Sequence, residues 1–495
     1  MRYRELYFGM SDSRNEASAN KNEFVRSYVD IRGIREAVLD GEKFLALGPK
    51  GTGKSALAWY LKLTESKDNH FSDVLDASSL PLAEIPRLET GQDAGPERTV
   101  IAWRFILLCN YLQLLLRDGS CYFANDREVK RVAKLLREYG FMSDASGKAI
   151  VNISSTTITI PIPKIGDIYK KEQRSHLNIY NLVPYLESWV SSALSNVRHI
   201  LFLDGLDSIL LNDPKYDESL ASLVQAAYTL NQRFLEHDSP GSIVLLLRND
   251  VFARIELSLP DSQKMRDDLS TQLDWRILSG AAGLSSPLMS LVNRKAAQAL
   301  DVPAVDVLRF FPSTIPVGSR GQRPRRIPVF QYMLNMTRHT PRDLLRLFEE
   351  IRKVEEAEPI GPENAILRDD IIHEGILRYS KDYFVGAIRN EFAGTDGGPQ
   401  AASAAISALK SLGKQEFDRD DFRRALIDLD LGIPLNDAKL LELLFYAGAI
   451  GNVVGSGDKR YMQFYHRRDE SEIYIRGKFI LHNALLHAWA MPYGG

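Results

Sequence analysis

One stretch near the N-terminus restricts the fold of this chain more than any other. The octapeptide GPKGTGKS fills every fixed position of the phosphate-binding pattern G-x-x-x-x-G-K-[ST]. Its residues are Gly48, Pro49, Lys50, Gly51, Thr52, Gly53, Lys54 and Ser55. Residues 43–47 before it form a short apolar run typical of a buried parallel strand, and residues 56–62 after it continue as a helix. This strand, loop and helix together predict a P-loop.

The residue types of this loop fit a nucleotide bound with magnesium. Gly48, Gly51 and Gly53 permit positive φ, so the backbone N–H groups can approach the β-phosphate closely. Lys54 is predicted to bind the β- and γ-phosphates, and the hydroxyl of Ser55 to bind Mg²⁺. We therefore predict ATP and Mg²⁺ as cofactors, held by the loop and by Ala56 after it. The alternative is a glycine-rich turn that happens to contain Lys-Ser.

A pair of acids follows a second apolar run. Residues 199–203 (HILFL) lead directly into the sequence DGLD, which contains Asp204 and Asp207. A carboxylate at the end of a strand beside the P-loop strand can hold the water shell of Mg²⁺, and this role is predicted for Asp204. Asp207 is predicted to orient or deprotonate the attacking water. Alternatively, Asp204 caps a helix and Asp207 is an acid of its first turn.

Polar residues also follow the apolar run of residues 242–247. Arg248 and Asn249 come directly after it, and the carboxyl end of a parallel strand faces the crevice where a nucleotide binds. Either residue is therefore a candidate γ-phosphate sensor, although a solvent-facing loop arginine would give the same pattern. Residues 273–278 are predicted to form the last strand of the sheet.

Length and composition restrict the class of protein. A chain of 495 residues is too long for one core and predicts about three domains. The formal net charge of -2 provides no global attraction to nucleic acid. Two cysteines and an N-terminus without an apolar signal segment predict a cytoplasmic protein. Residues 100–116 are the most apolar stretch, and we expect a buried helix there and no membrane partner.

The order of the predicted elements divides the chain into four regions. Residues 1–30 form an N-terminal arm, expected to lie across the nucleotide domain. Residues 31–280 form an α/β core, a parallel sheet flanked by helices, with a helical and β-hairpin insert at about residues 99–175. Residues 281–360 form a helical lid, and residues 361–495 form a winged-helix-like domain.

The C-terminal region has the element order of a winged helix. Its predicted elements are helices at residues 401–412, 418–429 and 436–447, strands at 461–467 and 473–476, and a closing helix at 482–490. The third helix would be the DNA reader. It offers one lysine, two acids and mostly aliphatic side chains, which suit neither phosphates nor base edges. We therefore expect this domain to contact protein.

Two further segments have open functions. The most basic run, residues 318–326, contains Arg320, Arg323, Arg325 and Arg326 and could bind nucleic acid or phosphate, although such runs are more commonly solvated. Residues 150–165 are rich in β-branched side chains and predict a hairpin. That hairpin is either structural or a clasp for a partner or a second subunit.

The order of these parts resembles that of the additional-strand P-loop ATPases. Over residues 30–280 the chain is most similar to the STAND and KAP-like group and to the origin-recognition-type AAA+ ATPases. The later sequence TPRDLL resembles the R-P-R-D-L signature in the lid of such ATPases, which implies that Arg342 approaches the γ-phosphate. Only Arg342 carries over, because Thr340 stands at the first position. The positive charge of Arg342 is unfavourable in the first turn of a helix unless it binds an anion or Asp343.

Two other segments carry weaker resemblances. Residues 8–17 resemble a subgroup of bacterial P-loop ATPases that are paired with effector enzymes in anti-phage defence, which implies an adenine contact by Tyr7 and Phe8. His482 resembles the winged-helix histidine that contacts ADP in STAND switches. A core histidine is the alternative reading.

The resemblance implies an Mg²⁺-dependent ATPase. It would act as a molecular switch, assemble into a homo-oligomer and control a protein effector, in bacterial antiviral defence. Two alternatives from other classes are an ATP-dependent DNA-binding initiator or loader of the origin-recognition type, and a module that holds nucleotide without turnover.

Overall fold

The computed structural model describes residues 1–79, 96–138, 141–142, 179–206, 214–276, 286–300, 302, 305–317, 325–392, 398–429, 436–455, 457, 460–467 and 472–491. The strands are β1 (Leu45–Leu47), β2 (His70–Asp76), β3 (Arg198–Asp204), β4 (Gly241–Leu247), β5 (Ser270–Gln272), β6 (Thr314–Val317), β7 (Arg325–Pro328), β8 (Glu416–Phe417), β9 (Ile450–Val454), β10 (Tyr461–Gln463) and β11 (Lys478–Leu481).

The α-helices are α1 (Ser13–Ala19), α2 (Lys21–Ser27), α3 (Ile34–Leu39), α4 (Lys54–Leu63), α5 (Glu65–Asp68), α6 (Pro96–Leu115), α7 (Tyr122–Asn125), α8 (Arg127–Glu138), α9 (Ile179–Ser191), α10 (Pro214–Glu236), α11 (Asn249–Ile255), α12 (Ser262–Asp267), α13 (Pro287–Ala297), α14 (Val329–Asn335), α15 (Pro341–Ala357), α16 (Asp369–Arg378), α17 (Val385–Glu391), α18 (Gly398–Ser411), α19 (Arg419–Asp428), α20 (Asp437–Tyr446) and α21 (Asn483–Ala488). A π-helical turn, Tyr379–Phe384, joins α16 to α17.

The chain divides into two compact units. The first consists of Asp30–Pro49 and Lys54–Leu273, and the second of Met1–Val29, Lys50–Gly53 and Asp274–Gly495. The first unit therefore contains the predicted sheet. The second contains the N-terminal arm and four residues of the P-loop.

A five-stranded parallel sheet forms the first unit, with the strand order β2-β3-β4-β1-β5. Strand β1 is buried throughout, β3 is buried except at its two ends, and β4 is buried except at its first residue. Continuous apolar strands of this kind are typical of a parallel sheet covered by helices. Helices α4, α6 and α10 contact the sheet. The predicted α/β class, with a parallel sheet flanked by helices, is confirmed.

The last strand of this sheet lies earlier in the chain than predicted. The prediction of a strand at residues 273–278 is wrong for its described part, because β5 ends at Gln272 and pairs with β1. Leu273 and Trp275 are buried, and their alternation with polar residues imitates a strand. The true edge strand, Ser-Thr-Gln, has no apolar residue to reveal it.

The most apolar stretch of the chain forms a core helix. Helix α6 packs against α9 and α10, and Trp103 on it is 0% exposed, with its indole Nε1 donating to the Ser219 carbonyl at 2.8 Å. Contacts on several sides explain why this helix is apolar around most of its circumference. None of the helices in the described ranges is long and apolar enough to cross a bilayer.

The N-terminal arm belongs to the second unit. The Tyr3 hydroxyl donates to the Phe348 carbonyl at 2.9 Å, and the rings of Phe8 and Phe348 stack with their centroids 5.5 Å apart. Arg4 and Glu355 form an ion pair at 3.0 Å. Buried aromatic side chains thus hold the arm on α15, a long-range contact that the sequence pattern did not indicate.

The C-terminal part contains a four-stranded antiparallel sheet in the order β10-β9-β11-β8, with α18, α19, α20 and α21 around it. The predicted strand at residues 473–476 is wrong, because the strand of this region is β11. Strand β9 was not predicted, since it contains Gly451 and Asn452, which are rare in strands. Here both have specific contacts: a Cβ on Gly451 would lie 2.7 Å from the Gln463 carbonyl oxygen, and Asn452 Oδ1 accepts from the Tyr474 amide at 2.8 Å.

A buried ion pair gives a test of how the arm is held. Lys295 Nζ on α13 lies 2.6 Å from Glu16 Oε1 on α1, and the two side chains are 7% and 6% exposed. Lys295→Met leaves the carboxylate buried without its partner, so the free energy of unfolding should fall by about 3–5 kcal/mol in a urea titration. Arg233→Met removes the exposed ion pair to Glu236 and should cost less than about 1 kcal/mol. Equal losses in the two variants would contradict this account.

Candidate functional site

The P-loop lies between β1 and α4, with helix α4 beginning at Lys54. Gly51 and Gly53 have φ of 82° and 97°, which glycine adopts without strain. A Cβ on Gly51 would lie 3.0 Å from Arg342 Cβ and 3.4 Å from Thr340 Oγ1. Gly48, which is also among the described residues, does not adopt the positive φ expected of it.

Three of the predicted site residues come together at this loop. Ser55 Oγ donates to Asp204 Oδ1 at 3.0 Å, although the two residues are 149 positions apart. Asp204 ends β3, and its Oδ1 also accepts from the Gly205 amide at 2.8 Å. Lys54 Nζ donates to the carbonyls of Gly48 at 2.8 Å and Pro49 at 3.0 Å. A hydroxyl and a carboxylate therefore meet at the first turn of α4, and the buried ammonium of Lys54 lies against the loop carbonyls.

The end of β4 contributes two further predicted residues. Arg248 is 6% exposed and makes a bidentate ion pair with Asp250, at 2.8 and 2.7 Å. Desolvation opposes ionisation of Asp250, but the charge and hydrogen bonds of Arg248 outweigh it and lower the pKa of this carboxyl. Asn249 begins α11, and its buried Oδ1 has no hydrogen-bond partner among the described residues. Asn249 therefore has an unused acceptor, whereas a contact with phosphate would use the Nδ2 donor of its side chain.

Arg342 lies in the first turn of α15, beside the P-loop. Its amide donates to the Gly51 carbonyl at 3.3 Å, and Thr340 caps the helix by accepting from the Asp343 amide at 3.3 Å. The Arg342 guanidinium forms no hydrogen bond or ion pair with any described residue. Asp343 does not neutralise it, because this fully buried carboxylate is bound by Arg338 at 2.8 and 2.9 Å and by the Tyr383 hydroxyl at 2.8 Å.

Trp275 is a residue of this region that the sequence pattern missed. Its indole Nε1 donates to the Thr52 carbonyl at 2.7 Å, and both residues are buried. The sequence placed Trp275 in a strand because of its alternation with polar neighbours. The position of Trp275 shortly after the last strand was visible in the sequence, but its neighbours did not indicate a hydrogen bond from its indole N–H to the P-loop.

Other predicted residues do not join this group in the described structure. Asp207, the hairpin at residues 150–165 and the loop at residues 318–324 lie outside the described residues. Phe8 is 1% exposed within an aromatic cluster, and the Tyr7 hydroxyl donates to Glu16 at 3.4 Å. The ring of Phe8 is therefore a core side chain. Arg325 and Arg326 are exposed on β7, where Arg326 also donates to Thr314.

His482 is part of a buried histidine cluster in the second unit. Its ring is 0% exposed, stacks on Phe384 at 4.6 Å and lies 5.3 Å from the ring of His466, which lies 5.3 Å from that of His339. Its Nδ1 accepts from the Ala484 amide at 3.2 Å and caps α21. The geometry is that of a core histidine.

Burial determines the protonation of these histidines. Desolvation, with the charge of Arg467, lowers the pKa of His482 well below its ordinary value and that of His339 to about 3. The pKa of His466 is also lowered well below its usual range, by burial and by the neighbouring histidines. The nearby acid, Asp343, opposes the shifts at His339 and His482 without reversing them. All three rings are neutral in the folded protein at neutral pH.

The lowered pKa values predict an acid-sensitive fold. Below about pH 6.5 the unfolded chain binds a proton at His482 that the folded chain does not, so the free energy of unfolding should decrease as the pH falls. His482→Asn keeps a cap acceptor for α21 but cannot titrate. Between about pH 6 and pH 5 it should reduce the slope of unfolding free energy against pH by about 1.4 kcal/mol per unit. The exposed His237→Asn is the control, and an unchanged slope in His482→Asn would refute the assignment.

No protein-family model matches the chain, and no curated protein matches it with significant similarity.

In the described part of the chain, no group of three or more His, Cys, Asp or Glu residues could hold a metal ion. Ser55 and Asp204 are the pair of oxygen donors that the structure brings together at the P-loop.

Proposed function

We propose that this protein is an Mg²⁺-dependent ATPase. The proposal rests on the 3.0 Å hydrogen bond between Ser55 Oγ and Asp204 Oδ1. Ser55 directly follows Lys54 in the P-loop. Mg²⁺ in nucleotide sites is commonly held by one or two protein oxygens together with substrate phosphates and water. The Ser55 hydroxyl and the Asp204 carboxylate are oxygen ligands of the kind that this coordination requires.

The loop around this pair suits a triphosphate. Positive φ at Gly51 and Gly53 brings the backbone close to any ligand, and the first turn of α4 offers amide groups and the positive end of a helix dipole. Lys54 would bind phosphate oxygens, which can replace the loop carbonyls that it contacts here. When bound, Mg²⁺ would neutralise the charge of the phosphates.

In such an enzyme the protein contributes positioning and charge stabilisation. Arg342 is the preferred candidate for the γ-phosphate sensor. Its guanidinium has no partner among the described residues, and its backbone amide donates to the Gly51 carbonyl. Asn249, at the start of α11, offers the Nδ2 donor of its side chain, while Arg248 is already paired with Asp250. Asp207 stays the candidate for orienting the attacking water.

The strand order supports membership of the additional-strand class. Strand β4 lies between β1, which leads into the P-loop, and β3, which ends at Asp204. One strand inserted between these two is the feature for which the class is named. We infer a nucleotide-dependent switch of the STAND and KAP-like or AAA+ type, cytoplasmic and homo-oligomeric.

The C-terminal sheet and its helices support a winged-helix-like domain that contacts a protein effector. The acid at the start of α20, Asp437, pairs with Arg419 at 2.7 Å and with Arg423 at 3.1 Å, and Lys439 pairs with Glu442 at 3.1 Å. The few charged side chains of α20, the helix that would read DNA, are therefore already in ion pairs. A role in antiviral defence rests on the sequence resemblance alone.

Removal of the Asp204 charge tests the magnesium site. Asp204→Asn keeps the size of the side chain but weakens its hold on Mg²⁺, so phosphate release from ATP should fall by about 10²-fold or more. Asp73→Asn, on β2 of the same sheet, removes a carboxylate that pairs with Lys62 and should leave turnover close to that of the wild type. EDTA should abolish the activity of the wild type. Wild-type turnover by folded Asp204→Asn would overturn the site.

Two arginines of α15 allow a matched test of the sensor. Arg342→Ala should lower the turnover number by about 10²-fold while ATP binding is retained, because a γ-phosphate contact matters most in the transition state. Arg346, one turn further on, pairs with Glu350 at 2.7 Å, and Arg346→Ala should not change turnover. Turnover and calorimetric ATP binding are measured for both.

Phosphate release by the wild type but not by Lys54→Ala excludes a module that only holds nucleotide.

A further inference from the structure

Helix α8 in the first unit carries a stripe of exposed cations. Its exposed residues include Arg127, Lys130, Arg131, Lys134 and Arg137. At 3.6 residues per turn these positions fall within an arc of about 120° and extend over about 15 Å. The opposite arc consists of the buried Val129, Val132, Ala133 and Leu136. The helix is therefore anchored by its apolar side and presents its charge outward.

These cations differ from those of other surface helices in their partners. Lys134 lies 3.8 Å from Glu138, and the other four side chains form no ion pair or hydrogen bond with any described residue. On α15 and α19, by contrast, Arg346, Lys353, Arg423 and Arg424 are paired with acids of their own or neighbouring helices. Against these five cations α8 exposes two acids, Glu128 and Glu138, so within the described residues its surface has a net positive charge.

We propose that the exposed face of α8 binds the phosphodiester backbone of double-stranded nucleic acid. Neighbouring cations on one face of a helix lie about 5–6 Å apart, and a duplex presents one negative charge per about 1.7 Å of its axis. The stripe can therefore meet several phosphates at once. Such contacts provide affinity and position without reading sequence.

The composition of the exposed face selects this partner over two other polyanions. Every fully exposed residue of α8 is charged. A helix that lies on an anionic membrane needs apolar side chains to insert, and those of α8 are directed into the protein. A protein interface usually combines arginines with aromatic or aliphatic anchors in desolvated pockets, and α8 has arginines but no exposed aromatic or aliphatic side chain beside them. A nucleic-acid backbone requires neither feature.

Fluorescence anisotropy with a labelled 20-base-pair DNA duplex tests the proposal on the full chain. The variant combines Arg127→Gln, Lys130→Gln, Arg131→Gln and Lys134→Gln. It should weaken binding at least about tenfold and reduce the slope of log affinity against log salt by about 3–4, because each lost phosphate contact removes about one unit. The control makes the same change in charge on paired cations: Arg346→Gln, Lys353→Gln, Arg423→Gln and Arg424→Gln.

The control should bind the duplex with nearly wild-type affinity and slope, and thermal unfolding checks that both variants are folded. A duplex RNA of the same length shows which nucleic acid is preferred, and α8-dependent binding of either supports the proposal. Absence of duplex binding by the wild type would overturn it. So would an equal loss in both variants, or stronger α8-dependent binding of phosphatidylserine vesicles or polyglutamate than of duplex. None of these outcomes depends on ATP turnover.

Discussion

The hydrogen bond between Ser55 and Asp204 is the contact on which the candidate site depends. It connects the first turn of α4 to the end of β3, with β4 lying between β3 and the strand that leads into the P-loop. It requires β1, β4 and β3 to run parallel, so that their carboxyl ends meet at one edge of the sheet. The parallel pairing of β3 with β4 and of β4 with β1 brings these ends together.

Much of this edge was predictable because each part has a local signature. The P-loop pattern, the apolar runs of β3 and β4 and the polar residues after them can be read within short windows of sequence. The edge strand β5 could not be found in this way, since three polar residues carry no hydrophobic pattern. The bond from Trp275 to Thr52 joins positions 223 apart, and nothing in either window indicates it.

The start of α15 shows why adjacent residues can have separate roles. Arg342 and Asp343 look like a pair in the sequence, but neighbours along a helix point in different directions. Asp343 is directed inward, where Arg338 and Tyr383 satisfy its oxygens and lower its pKa despite complete burial. Arg342 is left next to Gly51, with its charge available to a ligand. The sequence shows only that the two charges are adjacent, whereas their different surroundings are visible in the structure.

The grouping of Lys50–Gly53 with the second unit sets a limit on how this chain can be divided. A shortened chain that ends after β5 would retain the whole parallel sheet together with Lys54, Ser55 and Asp204. It would lack the indole that holds the Thr52 carbonyl and the Arg342 amide that holds the Gly51 carbonyl. The smallest portion that keeps both of these contacts to the loop is therefore larger than the parallel sheet with its helices, and exchange of that part alone would remove them.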